Sequence, residues 1–168
     1  LVEAIRCFYL ADTIRDWDEK QFDAPRTMLV NISKYINVHS YLKNQIAELV
    51  GADYKEIRVK FSKDQARNVG NPLYDELHRL FDKHYSNCGY TWEQVGQREA
   101  LLKWDSEKET KGIRVIVVNG SKESREDTPN YKKNPSWRII AVGGMALSRG
   151  LTLKGLTTSY FYRNTCTY

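Results

Sequence analysis

RIIAVGG, at residues 138–144, decides the fold class of this chain. A continuous apolar run of this length is typical of a strand that is buried on both faces of a parallel sheet, and the two glycines that follow it indicate a turn at its carboxyl end. Two further runs, Ile113–Val118 and residues 157–161, have the same character. The final third of the chain therefore predicts a mostly parallel sheet.

The first part of the chain supplies helices and one more strand. Residues 1–15 carry apolar side chains at helical spacing, whereas residues 27–32 form a short, partly β-branched run that predicts a buried strand. Asn37 is positioned to cap a second helix, and Gly51 stands where a C-terminal cap is expected. Residues 56–61 alternate between apolar and basic side chains, which predicts a strand with one wet face.

A helical region separates this part from the final strands. Asn71 and Pro72 predict a helix start, and a capping box at Thr91 predicts another helix that runs toward Trp104. We therefore expect an α/β fold, in which a mostly parallel sheet is flanked by helices. The chain should form a single domain with a helical insertion at residues 64–110.

Composition limits the classes of partner. The chain has 168 residues, of which 26 are basic and 21 acidic, so its net charge of +5 favours a polyanionic partner without requiring one. No run approaches the roughly 20 apolar residues that span a bilayer, so we expect no membrane partner. Cys7, Cys88 and Cys166 are widely spaced, which argues against a disulfide framework and favours a reducing, cytoplasmic setting.

The glycines after residues 138–142 are candidates for a phosphate site. At the carboxyl end of a parallel strand, glycine lets backbone N–H groups approach a phosphate that no side chain blocks, and an arginine can add a bidentate contact. An ordinary strand-to-helix turn needs glycine for steric reasons alone, and this alternative stays open. The predicted nucleotide- or phosphate-binding residues are Gly143, Gly144, Ser148, Arg149 and Gly150.

Residues 139–157 resemble the signature stretch of the Z1 domain family of predicted endonucleases, and the similarity extends over most of the chain. Members are large proteins associated with helicase-like ATPase regions and with restriction or defence systems. The same stretch is similar, more loosely, to the second RecA-like lobe of superfamily-two helicases. The resemblance implies a RecA-like, three-layer lobe in which Ser148, Arg149 and Gly150 face nucleotide or DNA. Thr152 stands where such helicases usually carry Asp, so a carboxylate contact there is not carried over.

Two absences lead us to expect a fragment that is incomplete for catalysis. No G-x-x-x-x-G-K-[ST] phosphate loop occurs, and the chain stops at Tyr168 before the arginine-bearing segment of the family pattern. The resemblance therefore implies that ATP and Mg²⁺ serve the full-length protein, with none bound to this fragment. DNA and other lobes of the same parent chain are the implied partners.

A basic and aromatic stretch before residue 138 suggests nucleic-acid contacts. Tyr131 and Trp137 flank two lysines, and such interleaving can grip single-stranded nucleic acid by stacking and phosphate contacts. A plain surface loop is the alternative. The predicted nucleic-acid contacts are Lys132, Lys133, Lys154 and Arg163.

A nuclease centre is less visible. Glu109 and Lys111, with Asp105 nearby, fit an E-x-K nuclease fragment. A solvated linker is the alternative, because such a match is expected by chance in a charge-dense run. We expect structural or exposed roles, and no metal site, for His39, His78 and His84.

The preferred hypothesis is a wall of a nucleotide- or DNA-facing cleft in a DNA-acting endonuclease with an ATPase region. The alternative is a non-catalytic nucleic-acid or protein-binding module whose helical residues 71–104 contact another protein. A small-molecule Rossmann enzyme is disfavoured because no G-x-G-x-x-G follows a strand.

Overall fold

The structure of the chain is a computed structural model, and it describes residues 1–18, 24–32, 36–104, 112–118, 131–132, 135–143 and 153–162. The helices are α1 (Val2–Asp16), α2 (Ile36–Lys60), α3 (Pro72–Tyr85), α4 (Trp92–Val95) and α5 (Arg98–Leu101). Two 3₁₀ turns cover Gln65–Asn68 and Leu102–Trp104. The strands are β1 (Arg26–Asn31), β2 (Ile113–Val118), β3 (Arg138–Gly143) and β4 (Leu156–Phe161).

The four strands form one all-parallel sheet in the order β2-β3-β1-β4. The register aligns Arg26 with Arg138 at the amino end and Asn31 with Gly143 at the carboxyl end. Long apolar runs such as β3 suit this position, because a central parallel strand is covered on both faces. The predicted α/β class, with a parallel sheet flanked by helices, is confirmed.

Helices α1 and α2 pack together on one face of the sheet. The shared core contains side chains from both helices and from three strands: Ile5, Phe8, Tyr9, Met28, Val30, Ile46, Val50, Tyr54, Ile113, Ile140 and Val142. On the opposite face, Ile116, Val118, Ile139 and Ala141 form a second cluster, against which Trp137 and Leu153 pack. Burial of these side chains, at roughly 25 cal/mol per Å² of apolar surface, orients both helices on the sheet.

The region after α2 builds its own apolar cluster against α1. The predicted helix start at Asn71 is confirmed: its side-chain oxygen accepts hydrogen bonds from the N–H groups of Leu73 and Tyr74, and Pro72 occupies the first turn. The capping box at Thr91 is also confirmed. The helix predicted to reach Trp104 is divided into α4, α5 and a 3₁₀ turn. Its apolar residues join those of α3 in one cluster: Leu10, Ile57, Phe61, Leu73, Tyr74, Leu77, Leu80, Phe81, Trp92, Val95 and Leu101.

The prediction of a strand at residues 56–61, and of a helix end at Gly51, is wrong. Helix α2 continues through Gly51 to Lys60, a length of 25 residues. Ile57 and Phe61 are buried one turn apart, whereas Val59 between them is 72% exposed. The alternation of residue types was therefore part of a longer helical period, and burial of its apolar stripe outweighs the cost of about 1 kcal/mol for a glycine inside a helix.

No helix in the described part of the chain combines the length and apolar character needed to cross a membrane.

A buried ionic cluster joins the end of α1 to the amino ends of β1 and β3. The Arg26 Nη1 group donates to the Asp12 carboxylate at 2.6 Å and to Asp16. Arg138 lies beside Arg26, with its Nε 2.8 Å from Asp12 Oδ1 and its Nη2 3.4 Å from Asp16 Oδ1. Both guanidinium side chains are 0% exposed. Two arginines that the register aligns side by side thus face two carboxylates one helical turn apart.

The cluster also satisfies backbone groups and balances its own charges. Arg26 donates to the Asp12 carbonyl at 2.9 Å, and Arg138 donates to the carbonyls of Ala24 and Ser136 at 3.0 and 2.6 Å. Burial raises the pKa of Asp12, and the neighbouring guanidiniums oppose that rise. Because no partner can be removed without leaving a buried charge, α1 is fixed relative to the two strands.

Replacement of Asp12 should therefore be strongly destabilising. Asp12→Asn keeps the shape of the side chain but removes one of two buried negative charges, so we expect a loss of about 3–5 kcal/mol in the free energy of unfolding. Glu3→Gln is the matched control, because Glu3 pairs with Arg79 on the surface and exposed pairs contribute little. Urea unfolding followed by circular dichroism measures both. Equal losses in the two variants would contradict a stabilising cluster.

Gly155 makes the turn into β4 and lies directly against the start of β1. Its φ is +68°, and a Cβ at this position would lie 1.7 Å from the carbonyl oxygen of Pro25. The Gly155 carbonyl accepts a hydrogen bond from the Thr27 N–H at 2.8 Å, so the turn belongs to the ladder between β1 and β4. Only glycine meets both conditions.

Two glycine-to-alanine substitutions should act in opposite directions. Gly155→Ala should lower the unfolding free energy by at least roughly 1–3 kcal/mol, the cost of the backbone conformation before any clash. Gly51→Ala, in the middle of α2 with no atom within 4 Å of the added Cβ, should raise it by about 1 kcal/mol. Chemical denaturation measures both, and a Gly155→Ala variant as stable as the parent would overturn the assignment.

Candidate functional site

The carboxyl edge of the sheet brings together the ends of three strands. Asn31 ends β1 between two neighbours, with Gly143 of β3 on one side and Phe161 of β4 on the other. Gly143 is buried and is the last residue of its strand. As a glycine, it places no side chain at this strand end.

The chain reverses its direction of travel across the sheet at this edge. From β1 the chain continues to β2, which lies beyond β3, whereas from β3 it continues to β4, which lies beyond β1. Asn31 and Gly143 are therefore neighbouring strand ends whose connections lead in opposite directions. In open parallel α/β sheets, ligands bind in the crevice outside the carboxyl ends at such a switch point.

Two exposed aromatic side chains lie at the same edge. Phe161 is 54% exposed and Tyr162 is 60% exposed. Their backbone is nonetheless held, because the Tyr162 N–H donates to the Asn31 carbonyl at 2.9 Å. Sequence reasoning treated residues 157–161 as a strand and assigned no site role to these rings. The signal was present as three consecutive aromatic residues, Tyr160 to Tyr162, of which only some can be buried in a strand with alternating faces.

Of the predicted phosphate site, the structure describes Gly143. Gly143 is the last residue of β3, so the strand extends one residue beyond the predicted run 138–142. Gly144, Ser148, Arg149 and Gly150 lie outside the described residues. Their role in binding stays a prediction.

The predicted nucleic-acid contacts divide between the two ends of the sheet. Lys132 and Lys154 precede β3 and β4, and so lie at the amino end, where Lys154 Nζ is 5.7 Å from the ring centre of Tyr131. The Lys154 N–H also donates to the Tyr131 hydroxyl at 3.3 Å. Gly143 is a full strand length away, roughly 16 Å at 3.3 Å per residue. Lys133 and Arg163 lie outside the described residues.

The three histidines lie in different surroundings. His39 is 1% exposed, His78 stacks on Trp92 with ring centres 4.7 Å apart, and His84 is exposed beside Tyr85. Within the described ranges, no three His, Cys, Asp or Glu side chains form a group that could hold a metal ion. The acidic residues Asp105 and Glu109 lie outside those ranges.

Comparison with known proteins identifies the family. A sequence model of the Z1 domain matches residues 1–168. The chain belongs to the Z1 domain family. No curated protein and no solved structure matches it. Membership of the Z1 family supports a nuclease-type role in broad terms, and it agrees with the resemblance carried by residues 139–157.

Proposed function

We propose that this chain is a DNA-facing part of a Z1-type endonuclease, and that the carboxyl edge of its sheet forms one wall of the cleft that holds nucleotide or DNA. The observation that carries the proposal is the switch point between Asn31 and Gly143, at the strand end where the family signature begins its glycines. In this proposal the full-length protein acts on DNA together with an ATPase or helicase-like region, in the cytoplasm, in restriction or defence.

Charge and backbone chemistry support a polyanionic ligand at this edge. The chain carries a net charge of +5. Glycine at the end of β3 allows amide N–H groups to approach phosphate oxygens, and Arg149 would add a permanently charged, bidentate donor in the same segment. Such contacts fix the position of a nucleic acid without reading its sequence.

The two exposed aromatic side chains support single-stranded nucleic acid in particular. Phe161 and Tyr162 sit on the strand beside Asn31, next to the proposed cleft, and bases stack on such rings irrespective of their sequence. Large aromatic side chains that are more than half exposed lose apolar contact with the core. A ligand that stacks on them would recover it.

The cofactors ATP and Mg²⁺ do not fit the described residues of this chain. The described residues contain no group of carboxylates suited to Mg²⁺, and the whole sequence contains no phosphate loop. We therefore derive no hydrolytic step here. In the proposal, other lobes of the same parent chain bring the phosphate cradle and any nuclease centre.

Removal of the two exposed rings should weaken binding of single-stranded DNA. We expect Phe161→Ala and Tyr162→Ala each to lower the affinity for a fluorescein-labelled oligothymidine by about tenfold, since one stacked base contributes about 1–3 kcal/mol. Fluorescence anisotropy at fixed salt measures the dissociation constants.

Trp17→Ala is the matched control for these variants. Trp17 is 41% exposed at the end of α1, close to the ionic cluster at the amino end of the sheet. Its loss should leave DNA affinity unchanged. If all three aromatic substitutions have the same effect, or none has any, the carboxyl edge is not the stacking surface.

Arg149 tests the glycine-rich segment separately. Arg149→Ala should lower DNA affinity and reduce the slope of log K against log salt by about one unit, because one phosphate contact is lost. Arg149→Lys should keep the slope but bind more weakly, since lysine retains the charge without the bidentate fork. If the parent protein does not bind DNA at any salt concentration, the protein-binding alternative replaces this proposal.

A further inference from the structure

We propose that the outer edge of β4, with the groove beside it, accepts an extended acidic segment of a partner protein that adds a fifth parallel or antiparallel strand to the sheet. This inference concerns the side of the sheet and does not rest on the proposed DNA cleft at its carboxyl edge. It follows from the hydrogen-bonding groups of β4, from the shape of the space beside them, and from the charges on its rim.

β4 is an edge strand without the usual protection. Among the described strands it pairs with β1 alone. None of its six residues is charged and none is proline, and Leu156 and Phe161 are 49% and 54% exposed. At the opposite edge, β2 is mostly buried and carries Arg114, whose guanidinium lies 4.4 Å from the ring centre of Trp137. Exposed, uncharged edges are templates for a further strand, and proteins normally block them.

The outward-facing hydrogen-bonding groups of β4 can be assigned from its register. The Tyr162 N–H points toward β1, because it donates to the Asn31 carbonyl at 2.9 Å. Along a strand the direction alternates from one residue to the next, so Ser159 and Phe161 direct their N–H and C=O groups away from β1. The pairing with β1 is regular from Thr158 to Phe161, after an irregularity nearer the amino end. Within the described part of the chain, two consecutive sites for ladder hydrogen bonds are thus open.

A groove of about 700 Å³ runs beside this edge. It is lined by residues 157–160 of β4, by Ala4 and Cys7 of α1, and by the end of α3. The Tyr85 hydroxyl donates to the Cys7 carbonyl at 3.0 Å and ties α3 to α1 there. Helices α1 and α3 therefore continue beside β4. A strand added in this space would cover the apolar and hydroxyl side chains that line the groove.

The charges on the groove favour an acidic occupant. Lys83 and His84 line it from the last turn of α3, and neither has an ion-pair partner among the described residues. Glu3, also at the groove, is already paired with Arg79 at 2.6 Å. Lys83 is thus a cation without an ion-pair partner among the described residues, whereas Glu3 already has one in Arg79, which Glu76 shares. Recognition by strand addition combines main-chain hydrogen bonds with such side-chain complementarity.

Ser159→Pro is the decisive variant, because it removes one outward N–H and leaves the bonds to β1 in place. Proline is tolerated on an edge strand when the missing N–H faces away from its neighbour. The probe is a fluorescein-labelled synthetic peptide of alternating valine and glutamate, and a peptide of alternating valine and lysine is its charge control. We expect the glutamate peptide to bind more tightly, and Ser159→Pro to weaken it by about tenfold.

Ser159→Ala is the matched control, since it keeps the N–H and should bind the glutamate peptide like the parent protein. Lys83→Glu provides an independent arm that does not touch the strand, and it should reverse the preference toward the lysine peptide. Thermal unfolding of each variant checks that the fold is retained. If Ser159→Pro does not fold, reversal by Lys83→Glu still supports the proposal, and an unchanged preference overturns it.

Three other outcomes would also overturn the proposal. Peptide binding that is equal in Ser159→Pro and Ser159→Ala would exclude the outer edge. Concentration-dependent self-association in analytical ultracentrifugation, abolished by Ser159→Pro, would assign the edge to a second copy of this chain. Binding of oligothymidine that is lost in Lys83→Glu and kept in Ser159→Pro would assign the groove to nucleic acid. None of these experiments uses a variant of Phe161, Tyr162 or Arg149, so failure of this proposal and failure of the proposed DNA cleft are distinguishable.

Discussion

The buried ionic cluster between α1 and the sheet is the constraint on which this structure depends. Arg26 and Arg138 begin adjacent strands in register, so their guanidiniums lie side by side on the face that α1 covers. Two such charges cannot be buried without anions close by, and Asp12 and Asp16 supply them from one face of the helix. The position of α1 along the sheet, and with it the shared core of α1 and α2, is therefore specified by charge as well as by apolar packing.

This cluster gives the two ends of the sheet different roles. At the amino end, the strands begin in a region where polar groups pair with each other and with the backbone carbonyls of Ala24 and Ser136. At the carboxyl end, Asn31 and Gly143 stand at a switch point, and two aromatic side chains remain exposed beside them. In open parallel α/β sheets, ligands bind outside the carboxyl ends of the strands at such a switch point.

Sequence patterns predicted the local elements well where one physical signal dominated. The four apolar runs form strands β1 to β4. Asn71 and Thr91 cap helices, as their side chains indicated. The prediction failed at Gly51 and at residues 56–61, where the order of apolar and charged residues was compatible with both a strand and a helix. A pattern of six residues fits both a strand and the end of a helix, and only packing against α3 and α4 decides between them.

The candidate site was predictable in part. The glycine at the end of an apolar run pointed to Gly143, but Lys132 and Lys154 could not be located relative to it from the sequence, and they lie at the other end of the sheet. The exposure of Phe161 and Tyr162 was equally invisible, because it depends on β4 being an edge strand. Which strand lies at an edge is a property of strand order, which no local pattern encodes.

By itself, the sequence determined the fold class, the four strands, the helix starts at Asn71 and Thr91, and the family, because each rests on local periodicity, capping or a contiguous signature. The predicted cap at Asn37 is wrong, because α2 already begins at Ile36. Only the tertiary structure decided the strand order, the length of α2, the charge cluster and the position of β4 at an edge among the described strands. These features join residues far apart in the chain: Asp12 meets Arg138, and Tyr162 meets Asn31. Their energies depend on burial and distance, which exist only once the sheet has formed.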